Sequence, residues 1–207
     1  MSEQLRWWPM YSKQESLNTS VRGGCCVQQP PVILIMQHYF YPITDLSADN
    51  KLTTDLPHKV PILYRWWFPE ESEPVKILRA YEAEDLLSKT LTATIGETKY
   101  YALYLGKGIN GRRRLKNHIS PRKRISTLRR TLSGLLNTDD ESKISKVLQE
   151  CYYEWCEMAC SKDELSDREE QAIKDGYYPL NLSENEHISA TWRLFLKNQR
   201  KSAETAD

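Results

Sequence analysis

Residues 100–110, Tyr-Tyr-Ala-Leu-Tyr-Leu-Gly-Lys-Gly-Ile-Asn, decide how this chain folds. Tyr100 to Gly106 is dense in aromatic and aliphatic side chains and predicts a β-strand, stopped by Gly106 and Gly108. Asn110 has a short side chain that can accept from the N–H groups of a following turn, which predicts a helix N-cap. Leu115 and Ile119 then stand four apart, one buried side of a helix that runs to about Ile119 before Pro121 ends it.

Upstream, Val60 to Phe68 (VPILYRWWF) predicts a second strand, antiparallel to the first. Strand alternation gives Trp66, Trp67 and Phe68 a place in the core in preference to stacking on bases. Residues 75–98 are ambiguous, with a short helix over Glu82 to Lys89. Residues 1–57, with Gly23-Gly24, Pro30-Pro31 and many small polar residues, read as an extension in which Val32 to Tyr41 is the one ordered strand. Downstream, Ser126 caps a helix that places Leu128, Leu132, Leu135 and Leu136 on one face. Ser142 starts another, in which Ile144, Val147, Leu148, Cys151, Tyr152 and Trp155 follow helical spacing, and which yields to a strand somewhere in 152–160. Ser166 precedes Glu169 at the capping-box offset, opening a helix closed by Gly176. Thr191 to Lys201 forms a last helix. The expectation is an α+β fold: a small three-stranded sheet, antiparallel or mixed, flanked by helices. Its parts are an N-terminal extension over 1–57, a domain over 58–188, and a C-terminal helix and tail over 189–207.

A chain of 207 residues suits one core with some decoration. The longest apolar run, Val32 to Met36, is far short of the roughly 20 residues needed to span a bilayer. No secretory leader is evident, so a cytoplasmic location without a membrane partner is expected. Cys151, Cys156 and Cys160 lack a CxxC pair and a following histidine, which disfavours a zinc site. Net charge is only +1, but the charge is segregated. Lys107 to Arg130 carries ten basic and no acidic residues, whereas Asp139 to Glu170 carries eleven acidic and four basic. A dense basic stretch is the usual footprint of phosphate binding.

The run Tyr104-Leu105-Gly106-Lys107, followed by Arg114 ten residues after the tyrosine and by His118 one turn later, resembles the second half of the GIY-YIG nuclease signature. Glu169, Ile173, Pro179 and Asn181 resemble that family's downstream glutamate helix and Pro-x-Asn element. The resemblance covers about residues 60–187. The GIY element itself is reduced to Ile62-Leu63-Tyr64 and lies 40 residues before Tyr104, which implies an insertion between the first two strands. Tyr64 is therefore the first-motif tyrosine, with Tyr81 as the alternative.

The resemblance implies a metal-dependent endonuclease acting on nucleic acid, with duplex DNA the expected partner and Mg²⁺ or Mn²⁺ the expected cofactor. It implies a site of Tyr64, Tyr104, Arg114, His118 and Glu169, supported by Gly106 and Asn181. The residue types suit phosphodiester cleavage, which needs an activated water and charge neutralisation on phosphate oxygens. One carboxylate with waters is how Mg²⁺ is often held, and Glu169 is the candidate ligand, with Glu170 the alternative by one register step. Arg114 offers a planar fork to a phosphate oxygen pair and Lys107 a point charge. Tyr64 or Tyr104 would take a proton from water, which for a tyrosine calls for a lowered pKa. Nucleic-acid contacts are expected from Lys107, Arg112, Arg113, Lys116, Arg122, Lys123, Arg124, Arg129 and Arg130. The competing functional class is a nucleic-acid-binding module on the same scaffold that does not cut.

Overall fold

A computed structural model describes residues 38–48, 51–52, 59–81, 85–120, 126–183 and 185–204. Along the chain these form β1 (His38–Pro42), α1 (Ile43–Leu46), β2 (Ser47–Ala48), β3 (Lys51–Leu52), β4 (Ile62–Pro69), α2 (Glu73–Ala80) and β5 (Thr92–Ile95). There follow β6 (Thr98–Gly108), α3 (Gly111–Ile119), α4 (Thr127–Leu135), α5 (Glu141–Gln149), β7 (Tyr152–Glu157), α6 (Lys162–Asp175) and α7 (Ala190–Glu204).

The two stretches read as neighbouring strands are β4 and β6, paired antiparallel with Tyr64 opposite Gly106 and Trp66 opposite Tyr104. A bulge follows, because Trp67 faces Ala102 and Leu103 is the extra residue. The expectation of three strands, antiparallel or mixed, is corrected to five, all antiparallel, in the order β1-β7-β4-β6-β5. Both surplus strands are edges with weak sequence patterns. β5 is a four-residue, largely exposed strand that turns into β6 through Gly96, whose φ of +60° suits glycine. β1 comes from the extension; the rest of the strand expected from Val32 lies outside the described residues. A separate small pair, β2 with β3, follows it.

The helix whose spacing runs on through Cys151, Tyr152 and Trp155 stops at Gln149, and Tyr152–Glu157 form β7. β7 is covered on both faces, Tyr153 and Trp155 on one, Glu154 and Cys156 on the other, so it shows no polar alternation. The insertion between β4 and β6 holds α2 and β5. A helix does occur there, but at Glu73–Ala80, with Pro74 in its first turn where a missing N–H costs nothing. Of the stretch from Glu82 to Lys89, residues 82–84 lie outside the described residues.

One face of the sheet, with Tyr64, Trp66, Phe68, Tyr153 and Trp155, packs on Leu115 of α3, Leu128 and Leu132 of α4 and Trp192 and Leu196 of α7. The other face, with Trp67 and Leu105, packs on Ile173 of α6 and on Tyr178. Trp66, Trp67 and Phe68 are thus core residues. The start of α6 departs from expectation: the capping box is Ser161 with Glu164, not Ser166 with Glu169. Both pairs share the spacing, and the earlier one lengthens the helix to 14 residues, putting Glu169 mid-helix. Among the described residues no helix is long and apolar enough to cross a membrane.

Candidate active site

Tyr64 reaches the site from β4, with its ring buried to 1% exposure. Its hydroxyl accepts a hydrogen bond from Arg114 Nε at 2.8 Å and lies 2.8 Å from His118 Nε2. Arg114 and His118 share α3, four residues apart and so on one side of the helix. Asn110 starts that helix as expected, its side chain accepting from Arg113 N at 2.9 Å. Gly106 stands across from Tyr64, and Gly108 lets the backbone pass close to Arg114, whose Cβ would lie 2.9 Å from a Cβ at that position. The strand-turn-helix therefore delivers arginine and histidine onto the tyrosine that the neighbouring strand supplies.

His118 is fully buried, and its Nδ1 lies 2.8 Å from Ser126 Oγ. Burial, then the charges of Arg114 and Arg129, hold its pKa well below the ordinary 6.5, so the ring is neutral. A neutral imidazole has one donor and one acceptor nitrogen. The phenol is the stronger acid of its two hydroxyl neighbours, so the favoured arrangement has Tyr64 donating to Nε2 while Nδ1–H donates to Ser126 Oγ. Ser126 also caps α4, accepting from Arg129 N at 3.2 Å. The sequence reading found Ser126 as a cap and missed its contact with the histidine.

Burial dominates both site tyrosines. It pushes Tyr64 well above the ordinary range, with Tyr104 adding to this and Arg114 opposing it. Tyr104 is raised likewise by burial, opposed by Arg114 and reinforced by Glu169. The expectation of a lowered tyrosine pKa is thereby corrected: a free tyrosinate is disfavoured here. Tyr104 sits beside both rings, 6.4 Å from Tyr64 and 6.2 Å from His118 between centroids.

Glu169 is a largely buried carboxylate on α6 whose Oε2 pairs with Lys107 Nζ at 2.9 Å. Glu170 points elsewhere and pairs with Lys174 at 2.6 Å within the helix. Tyr81 packs on Trp192 and Phe195 and takes no part in the cluster. Asn181 clamps β6 from its free edge: Oδ1 accepts from Leu105 N at 2.9 Å and Nδ2 donates to Leu105 O at 2.8 Å. One side chain thus pairs the backbone of the residue between Tyr104 and Gly106, beyond the end of β5.

The expected phosphate contacts divide. Arg113 and Lys116 are exposed, Arg112, Lys107 and Arg130 partly buried, and Arg122, Lys123 and Arg124 lie outside the described residues. Arg129 is a correction. Its side chain is fully buried, with Nε on Glu141 Oε2 at 3.0 Å, Nη1 on the His118 carbonyl at 3.1 Å and Nη2 on Glu141 and Ser145. A guanidinium so used has nothing left for a phosphate. It braces the end of α3 instead.

Among the described residues no three His, Cys, Asp or Glu side chains cluster as a metal cage. Glu169 nevertheless fits a cation: its charge is little exposed and is already met by the partly exposed ammonium of Lys107, whose place a divalent ion could take.

Residues 62–202 match the family model described as the GIY-YIG catalytic domain. No curated protein and no solved structure matches the chain.

Proposed function

This chain belongs to the GIY-YIG nuclease superfamily, and from that premise we propose that it is an endonuclease hydrolysing phosphodiester bonds of nucleic acid, with duplex DNA as substrate. One observation carries the reading: the Tyr64 hydroxyl is held between a donor, Arg114 Nε, and Nε2 of a neutral buried histidine, each at 2.8 Å. A phenol so placed can take a proton from water as it passes its own to His118 Nε2. The resulting hydroxide forms a bond to phosphorus, the bond to the departing ester oxygen breaks, and that oxygen is protonated from solvent. Among the described residues the two Nη groups of Arg114 meet no acceptor, so they are available to phosphate oxygens, whose growing charge they stabilise. An incoming phosphate also makes the protonated His118 less costly beside Arg114 and Arg129.

Glu169 would hold Mg²⁺ or Mn²⁺, which when bound would supply positive charge to the phosphate oxygens. Lys107, freed from Glu169, would turn to the nucleic acid. Arg112, Arg113, Lys116, Arg130 and the segment Arg122 to Arg124 would contact the backbone. We place the protein in the cytoplasm. A second reading, binding without cutting, draws on the Lys107–Glu169 pair, which already neutralises the carboxylate. Incubation of the full chain with plasmid DNA, with Mg²⁺ or with chelator, separates them. Metal-dependent nicking that disappears in Glu169→Ala supports the nuclease; retention of DNA with no nicking in any divalent metal supports the binder.

A further inference from the structure

Ile109 stands between Gly108, the last residue of β6, and Asn110, the cap of α3. It is a large aliphatic residue left 51% exposed. A single exposed apolar side chain on a mixed surface needs no explanation. This one lies inside the run from Lys107 to Arg130, which holds ten basic residues and no acidic one. Lys107 and Arg112 near it are partly buried, and Arg113 is exposed. Such a surface attracts phosphate, from which an aliphatic side chain gains nothing. What it can meet in a nucleic acid is the apolar part, the base stack and the sugars.

Its mounting is rigid. On one side Gly108 is held in the strand ladder opposite Ile62. On the other, Asn110 Oδ1 accepts from Arg113 N at 2.9 Å and Asn110 O accepts from Arg114 N at 3.0 Å. The same turn lies against Arg114, since a Cβ on Gly108 would come within 2.9 Å of Arg114 Cβ. One further Cα–Cα step of about 3.8 Å puts the Ile109 backbone within roughly 8 Å of the root of Arg114. Base pairs follow one another at about 3.4 Å along a duplex, so a phosphate held on Arg114 brings Ile109 to bases about two steps away.

Resting on the nuclease reading above, we propose that Ile109 is a wedge for nucleic acid. With the backbone held by Arg114 and the basic residues around it, the Ile109 side chain enters between base pairs beside that phosphate and loosens their stacking. Lysine and arginine on phosphates carry no preference among duplexes. A wedge does: it favours duplex that opens at little cost, such as one with a mismatch or a flexible pyrimidine–purine step.

The test measures binding of the full chain, in chelator so that nothing is cut, to two duplexes of equal length at several salt concentrations. One duplex is fully paired and the other carries a central mismatch. Wild type should bind the mismatched duplex roughly tenfold more tightly, because part of the unstacking is already done. Ile109→Ala should bring that ratio close to one and leave the salt slope unchanged, since no phosphate contact is lost. Ile109→Leu should keep the ratio. Leu194→Ala, which trims a side chain 60% exposed on α7, should keep it as well. A ratio that survives in Ile109→Ala, or is absent in wild type, would overturn the proposal, as would an equal drop in Leu194→Ala. Plasmid nicking in Mg²⁺ keeps the two readings apart. A wild type that nicks without any mismatch preference removes the wedge alone. One that nicks in no divalent metal removes the nuclease reading, and the mismatch ratio still decides the wedge.

Discussion

Gly106 lies opposite Tyr64 across the central strand pair, and a Cβ on Gly106 would sit 2.4 Å from Tyr64 Oη. The glycine is required by the phenol beside it, since its own φ is not in the left-handed region. Tyr64 has little freedom to retreat, because Arg114 and His118 hold its hydroxyl at 2.8 Å each. Gly106→Ala should therefore destabilise the fold by about 1–3 kcal/mol, as overpacking does. Nicking should fall far more than stability. Urea melts beside single-turnover rates check this, and a fully active Gly106→Ala would show that Tyr64 is not held as described.

Arg114→Lys keeps the charge but loses the Nε donor to Tyr64 and the planar fork. The expected rate loss is on the order of a hundredfold, comparable to removing one preorganised donor. Arg113→Lys, exposed on the same helix, should leave the rate nearly unchanged. Equal effects from the two substitutions would reduce Arg114 to one member of a basic surface.

Ser126 links a helix cap to the histidine, so its loss has two separable effects. Ser126→Ala should cost about 1 kcal/mol of stability through the cap. It should also release the His118 tautomer, visible as a change in the imidazole ¹⁵N shifts, and slow nicking by roughly tenfold. Ser126→Thr keeps the hydroxyl and should restore both the shifts and the rate. Failure of threonine to restore the shifts would mean that Ser126 does not set the tautomer.

His118 gives the fold a pH dependence of definite sign. Its folded pKa lies below the ordinary 6.5 because burial, Arg114 and Arg129 all disfavour the charged ring. Below pH 6.5 the unfolded chain binds a proton that the folded chain does not. Stability from this residue is therefore complete above about 6.5 and falls on acidification, by up to about 1.4 kcal/mol per pH unit. Denaturant melts at pH 7, 6 and 5 should show this slope in the wild type, and a smaller one in His118→Asn.

Arg129 distinguishes a brace from a DNA contact. Arg129→Met removes the partner of Glu141 and the donor to the His118 carbonyl, and should cost about 3 kcal/mol, as breaking a buried pair does. The salt dependence of DNA binding should not change. A salt slope lower by about one unit would instead mark a lost phosphate contact.

The central strand pair, α3 and the cap of α4 were legible because each is written locally: aromatic runs, a stopping glycine, a capping Asn or Ser. The site tyrosine, arginine and histidine follow from that local grammar together with the family spacing. The start of β7 was not legible, since a strand buried on both faces carries no alternation and the helical spacing continues through Tyr152 and Trp155 into it. Arg129 was misread because an arginine within a basic run is indistinguishable in sequence from a surface one. Only Glu141, twelve residues on, reveals its burial.

The strand order has a consequence for synthesis. Among the described residues β1 pairs with β7 alone, which also borders β4 and is separated from it by some eighty residues. A growing chain that has emerged through α3 already carries Tyr64, Arg114 and His118, and β4 can meet β6 through a loop of modest length. Yet β1 has no neighbour, and the carboxylate of Glu169 and the clamp of Asn181 are still unmade. The partial product exposes two bare strand edges and a Lys107 without its acidic partner. The five-stranded sheet therefore closes only when the last third of the chain has been made, and until then its open edges are sites where two growing chains could pair.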